Sequence, residues 1–508
     1  MQFQMRIIIA GAGYVGREVA RSLSRSRADV VLIDQDPSAI ERARNIDCLA
    51  ILGSALNRET LQEASLKDAD VLIATASDDV LNISICHLAR EVYSSIAEDE
   101  LPTIARVTRP ELQGEAKRNS LKDWSGVSKG IGVHDEVVER LILGLSCPGA
   151  SHITPFGDSP YHEAPLIAEV MLKVDGRDLV QRTIAGAREL LRERMPNILA
   201  ITNSEGSIKI LSPDDTTVNL QPKHRLHIAT PNGAGLREAI GICGHTVTEL
   251  ANRERVLILG HSAAGFGEVL ALRYLEDGHA VTYLTPELDH ANRLSGQLTA
   301  HTKHLDILHG DPHDEELLEE LDVSGHTIGI ACTEDDHDNL GLCLLASNLG
   351  VRKTGAILRR PSLLQMAQKM SLTYLVNERQ VVVESILQHL RDKHSTSTAS
   401  MGTEANLATF VTTITDHQDN ALIDVPVETL IPDKEEENPN RFQLTVRELH
   451  RISSLAFIAR KGDQRNTITQ FTGRNIRVGD VLTFLSKPEE LHEVARLVDI
   501  LTTAAHQD

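Results

Sequence analysis

The sequence predicts an α/β protein in which two Rossmann-like, doubly wound parallel-sheet domains alternate with two small α+β domains. Two observations carry this prediction. Short apolar strands alternate with helices along much of the chain, and the opening of that pattern occurs twice. The stretch IIIAGAGYVGRE begins at residue 7 and the stretch VLILGHSAAGFG at residue 256, so a strand that runs into a glycine loop recurs after 249 residues.

The first Rossmann-like domain is predicted over residues 1–148. Its strands are short apolar runs, in order MRIIIAGAG, ADVVLIDQD, CLAILGSA, DVLIATASDD and TIARVTRPE. The segments between them, such as GREVARSLSRS and VLNISICHLAREVYSS, have the 3.6-residue spacing of helices. The stretch GVHDEVVERLILGLSC predicts a closing helix, which Pro148 and Gly149 end. This alternation favours a parallel sheet covered on both faces.

A small α+β domain is predicted over residues 160–245. LIAEVMLKVDG is typical of a strand, DLVQRTIAGARELL of a helix, and NILAITNSEGSIKILSP of a hairpin that turns at Asn203-Ser204-Glu205-Gly206. RLHIATP predicts a further strand. A unit of roughly eighty residues is too short to be a large catalytic domain.

The order of domains then repeats. Residues 253–391 predict a second Rossmann-like domain, which opens with RVLILGHSAAGFGEVLALRYLEDGHAVTYLT and later contains GAILRRPS, the counterpart of TIARVTRPE. The polar stretch over residues 392–406 predicts a linker. Residues 407–505 predict a second small α+β domain, with FVTTIT, SSLAFIARKGD and VGDVLTFLS as strands.

The first glycine loop has the pattern of a dinucleotide-binding site. Gly11 permits a tight turn, Gly13 lets the backbone approach a pyrophosphate, and Gly16 lets the helix pack on the strand. The following helix directs free N–H groups and a positive dipole end at the phosphates. Asp34 ends the second strand, where an acid accepts hydrogen bonds from ribose hydroxyls and repels a 2′-phosphate. NAD(H) or ATP/ADP therefore fits better than NADP.

The second loop departs from this pattern. Ser262 stands where backbone would touch phosphate, between Gly260 and Gly265. The stretch VTYLTPE offers threonine and proline where the ribose-binding acid belongs. Both a nucleotide site and a purely structural copy of the fold remain open for this half.

Composition excludes several classes of function. A net charge of −21 would be repelled by nucleic acid and by anionic lipid, and aromatic residues make up only 3% of the 508 residues. The six cysteines are scattered, which suits free thiols in a reducing compartment. The sequence shows no leader-like segment and no apolar run long enough for a membrane span, so we expect a cytoplasmic protein.

Other polar clusters are weaker candidates for sites. His301, His304, His309 and His313 fall close together, but solvated loop histidines are favoured over a zinc site because no suitable partner ligands accompany them. The pair Asp78-Asp79 follows a strand and either contacts a ligand or caps the next helix. We find no nucleophile elbow, metalloprotease motif or P-loop lysine, and we expect no catalytic residue and no metal site.

Longer stretches resemble a known family. IIIAGAGYVGREVARSL, VVLIDQDPSAIERA, ILGSALNRETLQEA, ADVLIATASDDVLNISICHLAR and IARVTRPE are similar to the tandem KTN/RCK regulators of potassium channels and of Trk-type potassium uptake systems. The resemblance spans nearly the whole chain, as KTN domain, RCK C-terminal domain, KTN domain and RCK C-terminal domain. The Gly-Asp pair typical of the small domains is present as Gly479-Asp480, whereas Pro222-Lys223-His224 replaces it in the first small domain.

The resemblance implies a set of ligand-binding residues. In the first half these are the glycine loop, the ribose acid with its neighbour, and residues after the third, fourth and fifth strands: Gly11, Ala12, Gly13, Tyr14, Val15, Gly16, Asp34, Gln35, Gly53, Ser54, Ala55, Thr75, Ala76 and Arg106. The phosphates would lie on the loop, the adenine beside Ser54 and Ala55, and the Arg106 guanidinium toward the phosphates. In the second half the counterparts would be Gly260, Ser262, Ala263, Ala264, Gly265 and Arg359.

The resemblance also implies a function. It predicts a non-enzymatic gating subunit that senses NAD(H) and/or ATP/ADP and regulates a membrane-embedded potassium transporter subunit of the TrkH/TrkG type, as a homo-oligomer, typically a tetramer. Regulation of another cation transporter, such as a cation/proton antiporter, remains open. An NAD-dependent oxidoreductase is a further alternative, although the small domains offer no obvious catalytic base.

Overall fold

The computed structural model describes residues 5–25, 28–97, 99–156, 163–212, 215–247, 253–261, 265–299, 303–367, 370, 372–394, 400–401, 407–414, 422–430, 439–460 and 475–503. The first sheet contains β1 Arg6–Ala10, β2 Asp29–Asp34, β3 Leu49–Leu52, β4 Val71–Ala74, β5 Thr103–Val107 and β6 Lys129–Gly132. All neighbouring strands are parallel, in the order β3-β2-β1-β4-β5-β6. The strand order reverses between β1 and β4, and ligands of such sheets bind in the crevice at that point.

The helices of the first half follow the strands in alternation. They are α1 Tyr14–Arg25, α2 Pro37–Ala43, α3 Arg58–Glu63, α4 Asp79–Ser94, α5 Pro110–Lys117, α6 Leu121–Ser125 and α7 Val133–Ser146. Side chains fix where three of them begin, because Asp36, Asn57 and Asp78 each accept a hydrogen bond from a first-turn N–H group of α2, α3 and α4. The predicted doubly wound domain is confirmed, and β6 is a strand that the sequence pattern missed.

A five-stranded sheet follows. It contains β7 Ala150–Pro155, β8 Leu166–Met171, β9 Asn197–Thr202, β10 Ile208–Ile210 and β11 Arg225–Thr230, in the antiparallel order β10-β9-β11-β8-β7. Its helices are α8 Ile184–Leu191 and α9 Gly233–Ile242. The predicted helix DLVQRTIAGARELL is shorter than its pattern suggests, because the Thr183 hydroxyl accepts from the Gly186 N–H at 3.2 Å and so caps α8 at its start.

The second half repeats the first sheet. Its strands are β12 Arg255–Gly260, β13 Ala280–Thr285, β14 Leu305–His309, β15 Ile328–Cys332, β16 Lys353–Leu358 and β17 Tyr374–Asn377. They are parallel in the order β14-β13-β12-β15-β16-β17, which is the order of the first sheet. The helices are α10 Phe266–Glu276, α11 Leu288–Gln297, α12 Glu315–Glu320, α13 Asp336–Asn348, α14 Pro361–Ala367 and α15 Glu378–His394.

A four-stranded antiparallel sheet completes the fold. It contains β18 Ser400–Met401, β19 Leu407–Thr413, β20 Ser453–Arg460 and β21 Asp480–Ser486, in the order β18-β19-β21-β20, with helices α16 Arg441–Ile452 and α17 Leu491–Thr503. Gly479 takes a φ of +86° in the turn before β21. Lys223 takes a φ of +74° in the turn before β11, so a lysine adopts there the left-handed conformation that favours glycine.

The chain divides into two compact units, and each unites corresponding parts of the two halves. The first comprises Met1–Ile142 and Ala251–Leu387, and the second comprises Leu143–Leu250 and Gln388–Asp508. The limits predicted for four separate domains therefore stay predictions. No helix in the described part of the chain is long and apolar enough to cross a membrane.

In the first unit, buried charges join the two parallel-sheet halves through α7 and α15. Arg140 NH1 lies 2.7 Å from Glu384 Oε2, and the two side chains are 2% and 5% exposed. The Ser385 hydroxyl donates to Glu136 Oε2 at 2.7 Å. A buried charge that loses its partner strongly destabilises a protein. These contacts therefore hold the two halves in one arrangement.

In the second unit, the two small sheets share an apolar core. Leu199 and Ala229 of the five-stranded sheet belong to the same buried cluster as Leu407 and Leu485 of the four-stranded sheet. Two further members, Phe156 and Phe457, pack with ring centroids 5.3 Å apart. The Asn197 amide also donates to the Ala456 carbonyl at 3.3 Å, so the small domains are paired as the large ones are.

Candidate nucleotide-binding site

The first glycine loop joins β1 to α1 at the carboxyl edge of the first sheet. Gly11 has a φ of +109°, and its N–H donates to the Ile33 carbonyl at 2.8 Å. Gly16 is so tightly packed that a Cβ there would lie 1.8 Å from the Gly11 carbonyl oxygen. Gly13 is the opposite case, because it is exposed and a Cβ there would meet no atom within 4 Å. The loop therefore leaves open space beside the one glycine that faces outward, at the start of a helix.

Asp34 lies at the carboxyl end of β2 and reaches back to this loop. Its Oδ2 accepts from the Ala12 N–H at 2.6 Å and its Oδ1 from the Asp36 N–H at 2.9 Å. Its main-chain carbonyl accepts from the Gly53 N–H at 2.9 Å. A carboxylate has about four lone-pair positions, so two remain for ribose hydroxyls. The negative charge at this place disfavours a 2′-phosphate.

A buried threonine and asparagine hold the far side of the crevice, at the end of β4. Thr75 is 6% exposed, and its hydroxyl donates to the Gly11 carbonyl at 3.1 Å. Asn82 is fully buried and exchanges hydrogen bonds with the Ala76 main chain at 2.8 and 3.0 Å. Asn82 Nδ2 also donates to the Arg106 carbonyl at 2.9 Å. These contacts tie the ends of β1, β4 and β5 together around one edge of the sheet.

The remaining predicted residues of the first half differ in what they can offer. Gln35 and Ser54 are exposed, whereas Val15 and Ala55 are each 8% exposed. Tyr14 is half-buried at the first position of α1, and burial raises the pKa of its hydroxyl. Exposed side chains can contact a ligand directly, while the buried ones can do so only through their main chain.

Arg106 ends at a carboxylate from the second half of the chain. Its NH2 lies 3.7 Å from Glu378 Oε1, and the two side chains are 15% and 13% exposed. Arg359, the predicted counterpart of Arg106, places its Nε 3.2 Å from Glu378 Oε2. One carboxylate, at the first position of α15, thus contacts both arginines. Burial lowers the pKa of Arg106, and its Nε has no hydrogen-bond partner among the described residues.

The neighbouring residue of α15 contacts the first glycine loop. The guanidinium carbon of Arg379 lies 5.6 Å from the centroid of the Tyr14 ring, within the range of a cation–π interaction. Glu378 and Arg379 escape sequence reasoning because they lie in the other half of the chain, more than 270 residues from Arg106 and from Tyr14.

Side chains of the protein itself occupy the space beside Gly260, where the second loop begins. Ser262, Ala263 and Ala264 lie outside the described residues. A Cβ on Gly260 would lie 2.3 Å from the Tyr283 hydroxyl oxygen, and this tyrosine is 1% exposed. No comparable ring underlies the first loop, because Leu32 occupies the corresponding position of β2.

Charged and aromatic contacts also involve the described residues at the two ends of the second loop, His261 and Gly265. His261 Nε2 lies 3.2 Å from Glu287 Oε1, so a side chain of the loop itself contacts the acid nearest to the expected ribose position. The His134 ring, from the first half, lies where a Cβ on Gly265 would be 2.6 Å from its Cε1. His134 also meets the Phe266 ring edge-on, with centroids 4.5 Å apart. The start of α10 is therefore covered, whereas the start of α1 is open.

The two halves share a buried Asp-Asp-x-x-Asn motif, of which only the first pair, Asp78-Asp79, stands out in the sequence as a candidate. Asp78 caps α4, and Asp79, 2% exposed, accepts from the main-chain N–H groups of Thr108 and Arg109 at 2.8 and 2.7 Å. Helix capping is thus the role of Asp78. In the second half Asp336 accepts from Arg359 and Arg360 at 2.8 Å each, and Asn339 repeats the contacts of Asn82. The repeated spacing Asp-Asp-x-x-Asn was the signal for both.

The histidines of the second half do not form a metal centre among the described residues, where no cluster of three or more metal-ligating side chains occurs. His301 lies outside the described residues. His313 Nδ1 lies 3.1 Å from Asp311 Oδ1 on the surface. The six cysteines form no disulfide.

Comparisons with known proteins agree with this architecture. Residues 7–123 and 256–378 match the model of the TrkA-N domain. The Trk system potassium uptake protein TrkA of Azorhizobium caulinodans is 27% identical over 390 residues, which cover 76% of this chain and 80% of that protein. The TrkA homolog of Archaeoglobus fulgidus is 28% identical over 388 residues, which cover 76% of this chain and 81% of that protein.

Solved structures show the same fold. A GsuK channel bound to NAD matches with a TM-score of 0.52 and 17% identity, covering 98% of this chain and 79% of that one. The GsuK RCK domain matches with a TM-score of 0.50 and 16% identity, covering 98% of this chain and 96% of that one. The chain therefore contains two TrkA-N domains and is similar to TrkA proteins along three quarters of its length.

Proposed function

We propose that this protein is a nucleotide-sensing regulatory subunit of a potassium transport system. The observation that carries the proposal is the contrast between its two loops. The first loop keeps open space at Gly13 and an acid at Asp34, whereas Tyr283 and His134 fill or cover the second. One half is therefore equipped to bind a nucleotide, and the other half serves to pair with it.

Adenine nucleotides with an unmodified ribose fit the first site best. Main-chain N–H groups at the start of α1 and the Arg106 guanidinium would hold phosphates, and Asp34 would hold the ribose hydroxyls. The ligands are NAD(H) and/or ATP/ADP, which act by binding. A GsuK channel of the same fold has been solved bound to NAD, which supports this class of ligand.

The protein acts without catalysing a reaction. The described residues beside the open loop are suited to bind, to orient or to neutralise charge. Nucleotide binding would favour one arrangement of the paired halves over another, and the free energy available for gating equals the difference in nucleotide affinity between the two arrangements.

The partner is a membrane-embedded potassium transporter subunit, of the TrkH/TrkG type, at the inner face of the membrane. The relatives are named as proteins of a Trk potassium uptake system, and the net charge of −21 disfavours direct attachment to anionic lipid. The working assembly is a homo-oligomer, with a tetramer as the expected form.

Calorimetric titration of the purified protein with NAD, NADH, ATP, ADP and NADP tests the nucleotide site. We expect saturable binding of unmodified adenine nucleotides at about one per chain, with NADP weaker by tenfold or more because its 2′-phosphate faces Asp34. The Asp34→Asn variant keeps the size of the side chain and removes its charge, and we expect its affinity to fall about tenfold.

The matched control is Asp29→Asn, at the opposite end of the same strand, where Asp29 Oδ2 lies 2.8 Å from Arg6 Nε. It should bind nucleotide as the unaltered protein does. Absence of binding by every adenine nucleotide, or steady turnover of NADH with a small substrate, would contradict the proposal. Potassium flux in proteoliposomes that contain a TrkH-type subunit should change on adding the protein with its nucleotide, and Asp34→Asn should require about tenfold more nucleotide for the same change.

A further inference from the structure

Arg379 is an exposed cation placed against the first glycine loop by the second half of the chain. Its guanidinium carbon lies 5.6 Å from the centroid of the Tyr14 ring. Tyr14 follows Gly13 directly and is the first residue of α1. Among the residues that the structure describes, no carboxylate forms an ion pair with Arg379, although the side chain lies beside the open first loop.

A second cation lies near the first. The two positive charges of Arg379 and Arg106 repel each other, and burial together with this repulsion lowers the pKa of the Arg106 guanidinium. Glu378, between the halves, partly neutralises the pair at 3.7 Å from Arg106 NH2. Arg106 and Arg359 both contact the Glu378 carboxylate, and Arg379 follows it in the chain. Three guanidinium groups therefore lie near an open helix start, which is an electrostatic setting that favours phosphate.

The second loop provides an internal comparison. Arg379 is the second residue of α15, and His134 is the second residue of α7. Each therefore projects from the matching position onto the loop of the other half. His134 is packed against Gly265 and Phe266, and burial lowers its pKa to about 4, so it is neutral at pH 7. The covered loop thus faces a neutral ring, and the open loop faces an exposed cation.

We propose that Arg379, supplied by the second half of the chain, binds the phosphate groups of a nucleotide held by the first loop and favours nucleotides with two or more phosphates. This inference rests on the proposed function. The planar guanidinium can donate two parallel hydrogen bonds to phosphate oxygens, while the Tyr14 ring supports its face. Bound nucleotide would then contact both halves of the first unit, so that occupancy and the pairing of the halves depend on each other.

The test compares ADP with AMP, because the two differ only by one phosphate. Titration calorimetry is carried out on the full-length protein and on Arg379→Gln. We expect the Kd for ADP to rise about tenfold in this variant and the Kd for AMP to change less than about twofold. Arg379→Lys keeps the charge but loses the planar guanidinium, so its Kd for ADP should lie between those of the unaltered protein and of Arg379→Gln.

Arg352→Gln is the matched control. Arg352 is an exposed arginine of the same half, just before β16 and therefore at the opposite edge of the sheet from the loops. Its variant should bind both nucleotides as the unaltered protein does. The thermal unfolding curves of both variants should coincide with that of the unaltered protein, since neither arginine is buried.

Two results would overturn the inference while leaving the proposed function standing. In one, Arg379→Gln binds ADP unchanged although Asp34→Asn has lost affinity. In the other, Arg379→Gln loses affinity for ADP and AMP equally, which would assign Arg379 to the shape of the site rather than to phosphate recognition. Failure of the unaltered protein to bind any adenine nucleotide would instead contradict the proposed function itself.

Discussion

Replacing Gly16 with alanine should damage the protein at the junction of β1 and α1. The added Cβ would lie 1.8 Å from the Gly11 carbonyl oxygen, and also 2.8 Å from the Thr75 hydroxyl oxygen. The nearer obstacle is main chain, so no rotamer change can remove it. The helix and the strand would have to separate by about 1 Å before this contact became tolerable.

The change in the free energy of unfolding of Gly16→Ala follows from two opposing effects. Overpacking a rigid site costs about 3 kcal/mol, while alanine gains up to about 1 kcal/mol over glycine within a helix. The net loss is about 2 kcal/mol. For a unit of this size, each kcal/mol lowers the unfolding temperature by about 2–4 °C, so the Gly16→Ala variant should unfold about 4–8 °C lower.

Gly13→Ala is the control within the same loop. A Cβ at Gly13 meets nothing within 4 Å, so its unfolding temperature should match or slightly exceed that of the unaltered protein. Its nucleotide affinity should nevertheless fall about tenfold, because the Cβ occupies the space through which a phosphate approaches the backbone. Differential scanning calorimetry and nucleotide titration measure the two effects separately. Equal unfolding temperatures for both variants would refute this account of the loop.

Three further predictions concern buried polar groups. Glu384→Leu should lower the free energy of unfolding by about 3–5 kcal/mol, because it leaves the charge of Arg140 buried without that carboxylate. Adding Arg140→Met should restore most of the loss. A double variant that is no more stable than the single one in urea unfolding would contradict this reasoning. Burial lowers the pKa of His227 to about 4 from 6.5, so the unfolded chain binds more protons between these values, and His227 lowers stability by up to about 3 kcal/mol as the pH drops from 6.5 to 4. Burial lowers the pKa of His134 to about 4 as well, so His227→Gln should reduce the slope of stability against pH without abolishing it. An unchanged slope in the variant would show that His227 is not responsible. Asn82→Ala and Asn339→Ala should each lower the free energy of unfolding by about 3 kcal/mol, because each removes an amide that makes three buried hydrogen bonds. Only Asn82→Ala should weaken nucleotide binding. Equal effects of the two variants on binding would argue that both loops hold ligand.

Much of the fold was predictable because its signals are local. The alternation of apolar strands and helices, and the return of a glycine loop at Gly260, predict two doubly wound sheets, and the matching strand orders confirm them. The short strands β6 and β17 were missed because each has only four residues and lies directly before a long helix. A four-residue run that passes into a helix without a turn cannot be separated from the helical pattern, whereas β3 and β4, equally short, are followed by turn residues and were predicted.

The candidate site was predictable in part for the same reason. Gly11, Gly13, Gly16 and Asp34 fall in one strand–loop–helix–strand unit, where spacing alone indicates a site for phosphate and ribose. Two features of the site depend on the tertiary structure. Asp34 reaches back to the loop, and Gly13 is the loop glycine with open space beside it. The assignment of these residues to nucleotide binding remains a prediction for the titrations above.

What the sequence by itself determined is the architecture of each half and the place where each could hold a ligand. Only the tertiary structure decided how the halves meet: Glu378 between Arg106 and Arg359, Arg379 over the first loop, and His134 on the second. The physical reason is range. Strand and helix patterns depend on neighbours a few residues away, whereas a contact between residues more than 130 positions apart depends on packing that no local period encodes. That packing sets the difference between the open start of α1 and the covered start of α10.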